Sequence, residues 1–475
     1  MSYGIYIGKN HAADGHAWLA GYGDEPSSHW LEIVPRQTHA AGATITVGMT
    51  PEADLPGRLT EIPQVRETAR HLRVSYSYYL GVPAPLTNGG LNEYGVAVRD
   101  IWSPSRPELI AMTPAGQTGP NYSDLARIVM ERARSAREGV DIIAALIAEH
   151  GYSCYGGNSH IIADEEEAWV VIEFAGGLGL WVAERLGPDS IRASRPGYIG
   201  RIPDAPNADF RFPAHFVSTA VEKGWHDPKS GPFDVNVVYG DGKGRWQGVQ
   251  WVEAEMRKRA ERPEKISLAD IIWAIATEKL TGDTAGYGQV VPLRDPGIPS
   301  LRMFWHAPVG AVTAPMVPVF MGQMAPPPEY GPHRYLTTGE SARFLDNRNE
   351  DASPERTSRV RQGQEVTRSA FQTYKRLMHL AFQIGESALT ELWDHWRTME
   401  SRLASELAGV TRAVQVLTAA GEEDLAADHL TRYSNRHLIG ALQDAEALAA
   451  AYEARLRNAG KLNVSTCAKV PKQIW

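Results

Sequence analysis

Two cysteines, Cys154 and Cys467, are all that 475 residues contain. That excludes a disulfide framework and a multi-cysteine zinc site, and it suits a reducing compartment. No stretch of about 18 uncharged apolar residues occurs, and the N-terminus lacks the basic region and apolar run of a secretory signal. The chain therefore reads as cytoplasmic, with no membrane partner. A basic run able to track a phosphate backbone is also missing. The 48 Lys and Arg stand against 56 Asp and Glu for a net charge of −8, so nucleic acid is not an expected partner. No GxxxxGK[ST], HExxH, GxSxG or strand-linked GxGxxG is present, which leaves nucleotide, zinc-protease and α/β-hydrolase readings without an anchor. The 15 histidines are scattered, and His11 and His16 fall on a turn-like segment. No metal and no cofactor are assigned.

What is present suits a large core. Hydrophobic residues make up 43% of the chain, enough for one big domain or two or three smaller ones. Residues 3–8, 44–49 and 95–102 alternate and carry β-formers, and they are expected in one sheet system. Residues 123–149 have a serine at the start and apolar residues at helical spacing, and 160–174 read as two strands around an acidic turn. A helix is expected over 267–280. The proline- and glycine-rich stretch 306–333 is expected as an ordered loop or a cover over a sheet edge.

The charged stretch 341–363 reads as a linker to a helical region over 364–460, with a tail at 461–475. In that region Leu389, Leu392, Trp396, Met399, Leu403, Leu407, Val410, Val414 and Leu417 recur at steps of three and four. Such a stripe wants a partner helix, expected at 424–458 after a turn at Gly421. The hairpin would pack on the body or on another copy of the chain, allowing a homo-oligomer.

The chemistry concentrates at the start of the chain. Ser2 follows Met1 and is small enough for methionine removal to expose it. It would then carry a hydroxyl and an α-amine that titrates near neutrality, at about 7.7 to 8.0 when unperturbed, so the nucleophile brings its own general base. Taken singly, each nearby polar residue has a plainer use. Asp24 could cap a turn, Asn88 with two glycines could make a hairpin turn, and Asn158 after two glycines admits the same reading.

Their joint order carries a resemblance. Ser2, then GK, DG and DE, followed by GGLNEYGVA, GGNSHIIADEEEAWVVIE, GYGQV and PPEYGPHRY, resembles the PepD-like dipeptidases. These are a branch of the N-terminal-nucleophile (Ntn) hydrolases related to penicillin V acylase and bile-salt hydrolase. The resemblance spans most of the chain. It implies an α+β fold, the Ntn-hydrolase αββα sandwich over residues 1–340, with a C-terminal helical extension. It implies that Ser2 stands where the family has its cysteine nucleophile, and that Asp24 holds the α-amine or the nucleophile. The Asn158 side chain and the Asn88 backbone N–H would supply the oxyanion hole, where one donor is worth about 2.7 to 4 kcal/mol. Arg245 is a further candidate, matching a distal arginine of the related acylases.

Two departures from the family pattern stand out. Serine replaces cysteine, and Gly21 replaces an arginine three residues before the aspartate. An arginine favours a thiolate, whereas a serine gives up its proton only as it attacks. The expected activity is hydrolysis of amide bonds in dipeptides or similar small amides, through an acyl-enzyme and without a cofactor. The alternatives are an acyltransferase or tailoring amidohydrolase on the same scaffold, and an inactive peptide-binding homologue.

Overall fold

The computed structural model describes residues 2–24, 28–76, 82, 86–196, 199–282, 284–333, 368–463 and 473–474. The expected linker at 341–363, most of the tail, and Cys467 lie outside them.

Two large sheets dominate. The six-stranded one runs Ile191–Ser194 (β14), Tyr3–Ile7 (β1), Ala17–Gly23 (β2), Tyr287–Leu293 (β16), Met303–Ala307 (β17) and Val317–Phe320 (β18). The eight-stranded one runs Phe210–Arg211 (β15), Trp181–Leu186 (β13), Ala168–Glu173 (β12), Asn158–Ala163 (β11), Ala97–Ile101 (β10), Leu86–Asn92 (β9), His71–Tyr76 (β8) and His29–Val34 (β3). Two short ribbons pair Gln37–Thr38 (β4) with Glu67–Thr68 (β7), and Thr44–Val47 (β5) with Thr60–Pro63 (β6). All recorded strand pairs in both large sheets are antiparallel.

The sheets lie face to face. A Cβ at Gly4 of β1 would sit 2.8 Å from the Ile101 side chain of β10, so absent side chains on β1 let the sheets close. Helices cover both outer faces. Tyr122–Arg132 (α2) and Ala136–His150 (α3) pack on the eight-stranded sheet, and Gln247–Ala260 (α6) and Leu268–Ala276 (α7) on the six-stranded one. Buried on both faces, the central strands read as continuous apolar runs, as in the fully buried YGIYI of β1. Short helices at Pro107–Ala111 (α1), Phe216–Glu222 (α4) and Val235–Tyr239 (α5) complete the body. The result is the expected α+β class with its αββα layering.

Several local expectations need correction. Residues 3–8, 44–49 and 95–102 do not share a sheet: β1 and β10 sit on opposite sheets, and β5 is in a ribbon. Residues 123–149 form two helices. The first is capped by Asn121 in a reciprocal box with Asp124, not by Ser123, and Ser135 starts the second by accepting the Glu138 N–H at 3.1 Å. The stretch 306–333 contains β18, whose Pro318 is tolerated because the strand is an edge.

The C-terminal region has three helices, Ala370–Ile384 (α8), Glu386–Ala419 (α9) and Glu423–Asn458 (α10). Gly385, at φ 93°, separates the first two, because that backbone suits only glycine without strain. The stripe on α9 faces inward, with Leu392, Leu403 and Val414 at 0% exposure. Both long helices touch β18, and the Trp396 indole donates to Thr313 O at 3.0 Å. Among the described residues no helix is long and apolar enough to cross a membrane.

Candidate active site

Strand register assembles one end of the six-stranded sheet. Tyr3 pairs with Tyr22, Tyr287 with Gly23, and Gly4 with Ser194. The residues just beyond these pairs, Ser2, Asp24 and Arg195, therefore meet at the same sheet end. Ser2 is 3% exposed there.

Asn88 arrives from the opposite sheet. It lies inside β9 rather than in a hairpin turn; the turn comes after Asn92, whose Oδ1 takes the N–H groups of Tyr94 and Val96. Thr87 pairs with Ser75 but Gly90 with Arg73, so β9 carries one extra residue opposite Val74. Such a bulge re-aims a side chain. Gly89 adopts φ +124°, and a Cβ on it would sit 2.0 Å from Val98 O. Asn88 Nδ2 donates to Ser2 Oγ at 2.8 Å. The contact is through the side-chain amide, whereas the sequence pointed to the backbone N–H.

Asp24 is held by a small network. Arg195 Nη2 donates to Asp24 Oδ2 at 2.8 Å, and Thr284 Oγ1 donates to Oδ1. Arg195 Nη1 donates to the Tyr22 hydroxyl at 2.7 Å, which in turn donates to Leu280 O at 2.5 Å. Burial pushes the Asp24 carboxyl up, but the positive charge at the amino terminus and Arg195, with the Thr284 hydrogen bond, hold it below the ordinary aspartate range. Asp24 is therefore ionised at neutral pH, at the sheet end where Ser2 lies.

The other two expected residues are engaged elsewhere. Asn158 opens β11 at 0% exposure; its Oδ1 accepts from the Tyr155 hydroxyl at 2.9 Å and its Nδ2 donates to Ser159 O at 3.1 Å. Neither bond reaches Ser2. Arg245 pairs with Glu253 of α6, whose Oε1 also takes the Ala193 N–H at 2.8 Å, so it ties α6 to β14 instead of joining Ser2.

The structure adds residues that the sequence reading did not select. Arg99 of β10, at 0% exposure, donates from Nη2 to Tyr22 O at 2.8 Å and from Nη1 to the Tyr287 hydroxyl. An arginine inside the apolar run GVAVRDIW was the available signal. Arg195 and Thr284 had no comparable local signature, and Tyr287 lay in the GYGQV segment without being singled out. On the other face of the eight-stranded sheet, His160 Nδ1 meets Glu173 Oε1 at 2.8 Å and Nε2 meets Tyr122 O at 3.0 Å, all buried. Burial opposes the charged imidazole, but the Glu173 carboxylate outweighs it and raises the His160 pKa. Among the described residues no group of three or more His, Cys, Asp or Glu is placed to hold a metal ion.

Residues 85–245 match peptidase family C69, and over that segment the sequence is similar to the C69 peptidases. The chain is 29% identical over 154 residues to a probable dipeptidase of Salmonella dublin, covering 32% of this chain and 34% of that protein. It is 25% identical over 229 residues to probable dipeptidase A of Streptococcus pyogenes serotype M1, covering 47% and 44%. The matched segment thus spans less than half the length of either relative. Two structures of altered conjugated bile acid hydrolase from Clostridium perfringens are 11% identical, with TM-scores of 0.34 and 0.29. They cover 68% and 67% of this chain and 92% of each hydrolase chain. The C69 segment contains Asn88, Arg99, Asn158, Arg195 and Arg245, while Ser2 and Asp24 precede it.

Proposed function

We propose that the chain is an amide-bond hydrolase of the Ntn type, acting on dipeptides or similar short amides through an acyl-enzyme on Ser2, with Met1 removed. The observation that carries the reading is the 2.8 Å hydrogen bond from Asn88 Nδ2 to Ser2 Oγ across the two sheets. It seats an amide donor against the oxygen that attacks. The α-amine of Ser2 is the base that takes the hydroxyl proton as Oγ attacks the carbonyl carbon. The C–N bond then breaks, and the proton passes from the ammonium to the departing amine. A water, deprotonated by the same amine, hydrolyses the ester and regenerates Ser2.

In this scheme Asp24, ionised and clamped by Arg195 and Thr284, orients the ammonium formed midway. Asn88 and Asn158 are the donors for the developing alkoxide, which requires the Asn158 amide to leave Ser159 O when substrate enters. The C69 match and the dipeptidase names of the relatives support a short peptide as substrate. Incubation with a mixed dipeptide library, comparing wild type with Ser2→Ala, tests the assignment. Loss of all turnover in the variant is expected; turnover equal to wild type would sink it.

A further inference from the structure

We propose that Tyr155 is a positioning residue whose hydroxyl fixes which end of the Asn158 amide is turned to the developing alkoxide. This rests on the reading of Ser2 as the nucleophile and of Asn158 as a second donor. The partners of the amide settle its orientation before substrate arrives. The Ser159 carbonyl, 3.1 Å from Nδ2, can only accept, so the nitrogen end faces it and the oxygen end is left for Tyr155. The Tyr155 hydroxyl donates to Oδ1 at 2.9 Å. Asn158 is at 0% exposure, so bulk water cannot replace either bond.

The local chain makes this reach possible. Gly156 and Gly157 take φ of +122° and +111°, a turn that returns the tyrosine to the residue three places on, and a Cβ at Gly157 would sit 2.5 Å from Ser103 O. The Tyr155 ring meets Tyr122 edge-on with centroids 5.0 Å apart, and the Tyr122 and Tyr76 hydroxyls share a hydrogen bond at 2.6 Å. These three rings and Leu86 pack in one cluster. The first turn of α2 ties the strands of both asparagines together. Ser123 Oγ takes the N–H of Thr87, next to Asn88, at 2.8 Å, and Tyr122 O meets Nε2 of His160, two residues past Asn158, at 3.0 Å. When Nδ2 turns from Ser159 O to the substrate oxygen, the Tyr155 bond is the one that stays. An amide turned end for end would set Oδ1 against the alkoxide, one acceptor facing another, and raise the barrier. A phenol donates more readily than it accepts, so its bond to Oδ1 opposes that turn and polarises the N–H at the other end.

Steady-state kinetics in a double-mutant cycle tests this, on a dipeptide cleaved by wild type and not by Ser2→Ala. Tyr155→Phe keeps the ring and removes the hydroxyl; kcat is expected to fall about 10-fold, with KM within about twofold of wild type. Asn158→Asp still accepts from Tyr155 but has no N–H to give, and both it and Asn158→Ala are expected to lose about 100-fold or more in kcat. Tyr155→Phe added to Asn158→Ala is expected to cost nothing further, because the residue it acts through is gone. The same 10-fold loss in that background would overturn the proposal, since a merely structural tyrosine acts with or without Asn158. A kcat equal to wild type in Tyr155→Phe or in Asn158→Asp would overturn it too. If no dipeptide is cleaved in a Ser2-dependent way, the functional reading falls and takes this proposal with it. Ser2-dependent turnover with additive losses at Tyr155 and Asn158 overturns this proposal alone.

Discussion

At the residue scale, the site depends on side chains that arrive from both sheets. Asn88 is the clearest case, because its amide reaches Ser2 Oγ only through an irregularity in its own strand. Asn88→Ala is expected to lower kcat by about 100- to 1,000-fold, the cost of one oxyanion donor, with little change in KM. Steady-state kinetics on a cleaved dipeptide checks this, and a kcat equal to wild type would remove Asn88 from the chemistry. The order of short motifs picked out Ser2, Asp24, Asn88, Asn158 and Arg245 as candidates; the structure brings the first three to one sheet end and pairs Asn158 with Tyr155 and Ser159, and Arg245 with Glu253. Arg195 and Thr284 could not be found from sequence. Their partner Asp24 lies 171 and 260 residues away, and no local pattern encodes that meeting.

At the element scale, glycines and helix ends set where side chains can go. Gly89 is required twice, by its φ of +124° and by the approach of Val98 O to 2.0 Å from any Cβ. Gly89→Ala is expected to destabilise the fold by roughly 3 kcal/mol or more, from backbone strain and steric clash together. Denaturant unfolding measures this, and a loss under about 1 kcal/mol would mean that the bulge is not demanding. Strands β1, β10, β11 and β12 and the long helices were legible because their periods are regular. The break between α2 and α3 was missed because apolar spacing runs on across Ala133, which the chain passes in an extended conformation.

Helix α9 carries a titration of its own. Burial pushes the Glu400 carboxyl up to about 7, against the attraction of Arg397 at 2.6 Å and the Met316 N–H at 2.8 Å. Its pKa is raised above the unfolded value of about 4.3. The native state thus holds an extra proton between about pH 4.3 and about 7, and Glu400 costs stability progressively as pH rises through that window. The stability difference between wild type and Glu400→Gln should shift in favour of the variant across this range and be flat outside it. Unfolding free energies measured from pH 4 to 8 test this; a difference independent of pH would contradict it.

At the scale of the whole molecule, the two sheets meet face to face through β1 and β10, beside the Ser2 end. The helical region braces one edge. Trp396 donates to Thr313 O, the Tyr330 hydroxyl donates to Leu438 O at 2.8 Å, and Glu400 takes the Met316 N–H, all tying helices to the loop and edge strand beyond β17. The apolar stripe that seemed to ask for a partner finds one within the chain. The layering was legible because family resemblance and strand patterning agreed; the assignment of strands to opposite sheets was not, since alternation says nothing about which sheet a strand joins. Covalent chemistry at Ser2 is the centre of the proposed mechanism. Mass spectrometry of protein quenched in acid during dipeptide turnover tests it most directly. The expected result is an N-terminal peptide that begins at Ser2 and carries the mass of the substrate's acyl group. A peptide that begins at Met1, or a Ser2 peptide unmodified throughout turnover, would contradict it.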